Sequence, residues 1–377
     1  MAKRLFDKTY IGKMKLKNRI FMSPMGTTGE ADGAYCNEGI DYFEERAKGG
    51  AGLIITGANV VSTKYEPRPC TELSDFHHVE RLNMLIERCH AYGAKVCVQL
   101  SPGLGRQQFT DPFTPPYSAG SVGAFWFPDL ICKPFSKEDI HYLVEKVGYS
   151  ASLAVNAGAD CVELHAYGGY LLDQFHSVQW NNRTDEYGGD IHGRLRLTLE
   201  VIEEVRKQCG RDFIIDVRIS GDEYSDGGLT LNDMIYVSKQ LEKATVDFIH
   251  VSGGNTIKKG SSMPASGTAP APHKHASEEI KKHVSIPVAT VSRINEPWVA
   301  DELIANGVCD ACMIGRPNLC DSEFANKAKA GKTDEIRPCI GCGRCLTGIM
   351  FGKPISCTVN PAVEKEEIDE APVKKKV

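Results

Sequence analysis

Cys161-Val162-Glu163-Leu164-His165-Ala166-Tyr167-Gly168-Gly169-Tyr170 reads as a short β-strand ending in a turn. An apolar run continues to Ala166, and two glycines then free the backbone to fold back. Its flanks decide the fold. Before it, Ser136-Lys137-Glu138-Asp139 offers an N-cap and acids ahead of an apolar-periodic helix that ends near Gly158. After it, Gly193–Cys209 repeats the helical pattern, with Gly210 placed as its C-cap. The same unit recurs, with strand candidates at Arg19–Met25, Gly52–Ala58, Lys95–Leu100, Phe213–Ser220, Phe248–Ser252, Pro287–Ser292 and Ala311–Gly315. With Cys161–Ala166 these alternate with helices and predict an α/β fold, a (β/α)8 TIM barrel. A doubly wound sheet would want Gly-x-Gly-x-x-Gly after its first strand, and that pattern is missing there.

In such a barrel the chemistry sits at the C-terminal strand ends. Here these are Pro24-Met25-Gly26, Gly57-Ala58, Gln99, His165, Arg218, Ser252-Gly253-Gly254, Ser292-Arg293 and Gly315-Arg316. His165 and Tyr170 suit a substrate carbonyl whose α-carbon must be protonated: one donates a hydrogen bond, the other a proton. A buried His and a packing Tyr would give the same pattern. Ser292-Arg293 and Gly315-Arg316, at the last two strands, are placed to cradle a phosphate with backbone N–H groups and an Arg fork. Asn182-Arg183-Thr184-Asp185-Glu186-Tyr187-Gly188-Gly189 reads as an internally bonded loop that fixes the barrel mouth. The long aromatic loop Phe113–Phe135, with Tyr117, Phe125, Trp126 and Phe127, suits either a substrate wall or a segment packed on the rim.

After the barrel comes Cys339-Ile-Gly-Cys342-Gly-Arg-Cys345, followed by Cys357. Three bunched thiolates and one apart suit a [4Fe-4S] cluster, one sulfur to each iron, and Gly341 and Gly343 let the loop turn. Zinc is the alternative, although zinc ribbons more often pair two Cys-x2-Cys units across a longer loop. Cys309-Asp-Ala-Cys312 mimics a redox motif but leads into the last strand, so both cysteines read as small buried residues. The chain ends in a charged stretch, Glu364–Val377, expected to be a solvated linker.

The chain has 377 residues, 42% hydrophobic and 25% charged, as in a globular protein. A formal charge of -5 argues against a nucleic-acid binder, and no apolar run suits a membrane span. Fourteen cysteines scattered through apolar runs, with no apolar targeting core at the start, point to a reducing compartment and a cytoplasmic location.

Several segments resemble one family. Leu5-Phe6, Leu16-Lys17-Asn18-Arg19-Ile20-Phe21-Met22-Ser23-Pro24-Met25, the His165-to-Tyr170 run and the Asn182–Gly189 loop are similar to the signatures of the old yellow enzyme family of flavin barrels. The cysteine segment, with Asp41-Tyr42-Phe43-Glu44-Glu45-Arg46-Ala47-Lys48-Gly49-Gly50, resembles its iron-sulfur branch, which includes 2-enoate reductases, 2,4-dienoyl-CoA reductases and bile-acid-inducible NADH:flavin oxidoreductases. The resemblance implies FMN in the mouth of a barrel spanning residues 1–332. Pro24, Met25, Gly26, Ala58, Gln99 and Arg218 would lie at the flavin ring, and Gly253, Gly254, Arg293, Gly315 and Arg316 at its phosphate end. It implies His165 on the substrate carbonyl, Tyr170 as proton donor, and Cys339, Cys342, Cys345 and Cys357 as cluster ligands within residues 333–363.

The implied reaction is reduction of the C=C bond of an α,β-unsaturated carbonyl compound, an enoate, enoyl thioester or steroid-like enone, with electrons from NAD(P)H. Long relatives continue past a basic stretch like Lys374-Lys375-Lys376-Val377 into an FAD/NAD(P)H domain. Residues 364–377 would then be the start of a linker to that domain, with FAD present only if it follows; otherwise electrons come from a partner protein or directly from NADH. A homo-oligomer is left open. Two departures stand out: Gly168 replaces the Asn or second His of many relatives, and Gly26 replaces a flavin-tuning Cys or Thr. The rival readings are an amine dehydrogenase, with Tyr167, Trp126 and Trp180 around a cationic amine, and an electron-transfer subunit with a silent barrel site.

Overall fold

The computed structural model describes residues 4–66, 71–108, 111–257, 262–350 and 352–366. Among them, eight parallel strands close into a (β/α)8 barrel. The strands are β1 (Ile20–Met22), β2 (Leu53–Ile55), β3 (Lys95–Ser101), β4 (Cys161–Ala166), β5 (Ile214–Ser220), β6 (Phe248–Ser252), β7 (Val288–Val291) and β8 (Ala311–Ile314). Each pairs with the next, and β8 returns to β1 through Met313 opposite Phe21. The expected strands are thus all present; five are trimmed by one to three residues at an end where backbone pairing stops, and β3 runs one residue further, to Ser101.

The closure is built from period-two alternation. Phe21, Leu53, Ile55, Cys97, Cys161, Ile214, Phe248, Ala289, Ala311 and Met313 share one cluster inside the barrel. Phe21 and Phe248 meet edge to face across it at 5.9 Å. A hairpin of Thr9–Ile11 and Met14–Leu16, turned at Gly12 (φ +51°), adds Ile11, Met14 and Leu16 to the same cluster and plugs the N-terminal end. The opposite end is left for chemistry.

Local capping sets the outer ring. The Ser136 hydroxyl accepts the Asp139 N–H while the Asp139 carboxylate accepts the Ser136 N–H, a capping box that starts the helix Lys137–Asn156. Thr230 and Asp233 repeat the device at Leu231–Lys243. The helix Ile191–Cys209 ends at Gly210 (φ +81°), as its sequence indicates.

The mouth loop 182–189 is internally bonded as expected. Arg183 forks onto Asp185 at 2.9 and 2.6 Å and also donates to the Ala119 and Phe135 carbonyls. The aromatic loop 113–135 packs on the rim: Tyr117 sits 5.0 Å from Tyr65 and 5.1 Å from Phe135, and none of its aromatics lines the central cavity.

Residues 337–350 and 352–363 dock against the turn after β8. Asn360 donates to the Leu319 carbonyl, Arg337 donates to Asn360, and the Arg337 N–H reaches Asp321. The charged tail does not begin as a solvated linker. Glu364 is buried and accepts from the Thr28 N–H, the Thr28 hydroxyl and the Ile355 N–H, and Glu366 pairs with buried Arg46. Donors already fixed by the fold meet both oxygens of Glu364 and one of Glu366, which a composition-based reading of the tail cannot register. The basic stretch 374–377 lies outside the described residues. No helix among the described residues is long and apolar enough to cross a membrane.

Candidate active site

The C-terminal strand ends surround a cavity of about 310 Å³. Pro24, Met25, Gly26, Ala58, Gln99, His165, Tyr170, Arg218, Arg293, Gly315 and Arg316 all line it. Gly253 and Gly254 do not; Ser252 lines it in their place. The Gly254 N–H is already donated to the Asp222 carbonyl, and a side chain at Gly253 would meet His273 at 2.6 Å, so these glycines turn the β6 loop.

The floor depends on close backbone approach. A Cβ on Gly57 would stand 2.3 Å from the Gly26 Cα, so the ends of β1 and β2 come this close only because residue 57 is glycine. At the end of β7, Ser292 and Arg293 hold positive φ, +97° and +47°, conformations that L residues avoid. Both residues line the cavity. Arg293 and Arg316 brace one loop, donating to the Ala265 and Pro264 carbonyls at 3.0 and 2.8 Å.

His165 and Tyr170 meet over this floor, with ring centroids 4.6 Å apart. The turn between them uses Gly168 (φ +73°) and Gly169 (φ +76°), and a Cβ on Gly169 would collide with Gln107 and Trp180. The Gly169 N–H is tied to Asp173 at 2.7 Å. Burial, then the charge of Glu223, push the Asp173 carboxyl well above the usual range.

Burial, then the Arg218 guanidinium, lower the pKa of His165 to about 3. The imidazole is therefore neutral between pH 5 and 8. We expect no inflection near pH 6.5 that belongs to His165 in a kcat/KM profile of substrate reduction; an acid limb there that vanished in His165→Asn would contradict this.

Residues lining the cavity contribute buried polar atoms without a partner, among them His165 Nδ1, Arg218 Nε, Arg293 Nε and Thr27 Oγ1. Orphans of that kind call for a polar ligand, and a planar heterocycle carrying carbonyls and a phosphate fits them. Below Arg218 lies a group that the sequence did not single out. Gln99 Nε2 donates to Glu163 at 2.5 Å, and His250 Nδ1 donates to the other Glu163 oxygen at 2.7 Å. Asp216 stands within 4.8 Å of both Glu163 and His250, its pKa held well above the usual range by burial and the Glu163 charge. This network fixes the amide of Gln99 beneath the cavity.

Cys339, Cys342, Cys345 and Cys357 line a second, smaller pocket. Gly341 (φ +69°) and Gly343 (φ +78°) turn the loop, and a Cβ on Gly341 would press on Arg293 at 3.1 Å. Four converging thiols suit the donor set of a [4Fe-4S] cluster. The two pockets share a wall: Arg316 lines both, and the helix Arg344–Met350 gives Cys345 to one and Leu346 and Ile349 to the other.

Cys320, absent from any sequence motif, joins the four, with its sulfur 3.6 Å from that of Cys357. Contact with the Cys320 thiol lowers the Cys339 and Cys357 thiols from their ordinary range. Cys309 and Cys312 are buried elsewhere, 3.8 Å apart, as small core residues.

Residues 4–335 match the model of the NADH:flavin oxidoreductase / NADH oxidase family. The chain is 35% identical to cinnamate reductase of Clostridium sporogenes, covering 97% of this chain and 58% of that protein. It is 37% identical to an NADH oxidase of Thermoanaerobacter brockii, covering 99% and 59%. Thus it spans less than three fifths of either relative. A solved 2-naphthoyl-CoA reductase shares the fold with a TM-score of 0.91, at 24% identity over 97% of this chain and 58% of that one.

Proposed function

Because this chain belongs to the NADH:flavin oxidoreductase / NADH oxidase family, we propose that its cavity holds FMN and reduces the C=C bond of an α,β-unsaturated carbonyl compound. The pairing of neutral His165 with Tyr170 over a floor of orphaned polar atoms carries this reading. Pro24, Met25, Gly26, Ala58, Gln99 and Arg218 would hold the ring, and Arg293, Gly315 and Arg316 the phosphate. Cys339, Cys342, Cys345 and Cys357 would hold a [4Fe-4S] cluster. When bound, FMN supplies hydride and can also exchange single electrons, which suits it to a one-electron cluster next door.

The chain's own residues then have distinct tasks. His165 donates a hydrogen bond to the substrate carbonyl and stabilises the negative charge that develops on its oxygen. Tyr170 gives its phenolic proton to the α-carbon. Gly168 leaves His165 without a second side-chain donor beside it, and the Tyr170 ring packs against that glycine. NAD(P)H is the proposed electron source, directly or through an FAD-bearing domain or partner. Residues 1–332 would form the flavin unit and 333–363 the cluster unit.

The amine-dehydrogenase reading needs a bare aromatic face, and Tyr167, Trp126 and Trp180 do not offer one to the cavity. Arg218 covers the Tyr167 face at 4.1 Å, the Tyr167 hydroxyl donates to the Ser262 carbonyl, and Trp126 and Trp180 stand outside the cavity. A cationic amine would meet a cation there rather than a bare ring.

The test is reoxidation of photoreduced protein under anaerobic conditions by cinnamate-like enoates, enoyl thioesters and steroid enones. Rapid reoxidation by one class supports the reading and names the substrate. Reduction of the oxidised flavin by trimethylamine, with no reoxidation by any enone, would sink it.

A further inference from the structure

A cubic cluster uses one cysteine sulfur per iron, four in all, yet five thiols converge on the smaller pocket. Cys339, Cys342 and Cys345 come from one loop and Cys357 from the segment after it. Cys320 arrives from the opposite wall, on the short helix Arg316–Cys320 that follows β8. It is 2% exposed, and its sulfur lies 3.6 Å from that of Cys357. The contact is in hydrogen-bond range for two sulfurs. Once Cys357 binds iron as a thiolate, only Cys320 has a hydrogen to give.

We propose that Cys320 is not a ligand but an S–H donor to the Cys357 sulfur, and that it raises the reduction potential of the cluster. The inference rests on the cluster reading above. Reduction adds negative charge to the cluster and its sulfurs, so a donor stabilises the reduced state more than the oxidised one. The effect is strongest where water is excluded, as at Cys320. The Thr358 hydroxyl makes a similar contact to Cys342 at 3.2 Å, but Cys342 is exposed and water competes there. Cys320 also lies on the side of the pocket that carries Arg316, which borders the flavin cavity.

The experiment uses the anaerobically purified protein and its Cys320→Ala, Cys320→Val and Cys320→Ser variants. Iron and acid-labile sulfide are counted, and the reduced-cluster EPR signal is titrated against potential. Cys320→Ala and Cys320→Val should keep their iron while the reduced-to-oxidised ratio at a fixed potential falls about tenfold, as for loss of one hydrogen bond to a charged group. That corresponds to about 59 mV for a one-electron couple. Cys320→Ser, which keeps a donor, should recover most of the shift. Full iron with an unshifted potential in both donor-less variants overturns the proposal alone. Loss of iron from both overturns it in favour of a ligand role. A wild-type protein without iron and sulfide removes the cluster reading and this inference together.

Discussion

Tyr170→Phe should lower the rate of C=C reduction by about two to four orders of magnitude, the usual contribution of a positioned general acid. The substitution is nearly isosteric. The ring keeps its place 4.6 Å from His165 and stays against Gly168, where a Cβ would lie 3.6 Å from the Tyr170 ring edge. What goes is the phenolic proton. Hydride delivery without a proton at the α-carbon leaves charge on the carbonyl oxygen, which His165 alone must carry. Flavin content and the rate of flavin reduction by NADH should be unchanged, because Tyr170 enters only the second half of the cycle. Stopped-flow traces of the two half-reactions separate these effects. Unchanged reoxidation by the best enone substrate would remove Tyr170 from the proton-donor role.

The same residues show how far the sequence could be read. The strands were legible because each is a short β-branched run closed by a Gly, Pro or polar residue, and in a barrel the polar residue after each run must reach the mouth. Thus Gln99, His165, Arg218 and Arg293 were identified from position alone and share one cavity. Gly253 and Gly254 fit the same rule yet fail, because the Gly254 N–H is consumed by Asp222 within its own loop.

Contacts between residues far apart in the chain were not legible. Cys320 lies 19 positions before Cys339, outside any ligand spacing, and reaches the thiol pocket only because the turn after β8 packs against it. Glu163, Asp216 and His250 sit in three strands whose outward neighbours look alike, and only barrel closure brings their polar atoms within 4.8 Å. Glu364 reads as a linker charge until Thr28 and Ile355 are seen to satisfy it.

Cys345→Ala should strip the cluster from the protein and loosen the flavin site with it. Cys345 is buried at the first turn of Arg344–Met350, and only three of the four proposed ligands remain when it is removed. Partners one step outside a metal's ligands are already worth about 10–100-fold in affinity, so loss of a ligand should cost more than ~100-fold. Metal binding and local folding are linked: a site that no longer holds its metal loses the free energy that ordered its loop. Here that loop carries Leu346 and Ile349 on the flavin cavity, and Gly341 rests on Arg293. FMN retention through gel filtration should therefore fall in Cys345→Ala, although Cys345 does not line that cavity. Cys309→Ala, which removes an equally buried thiol from the core, should keep both iron and flavin. Metal analysis of the two variants beside wild type gives the answer. Equal iron in all three, or zinc without sulfide in the wild type, would refute the ligand assignment, and full flavin retention in an iron-free Cys345→Ala would break the link between the two pockets.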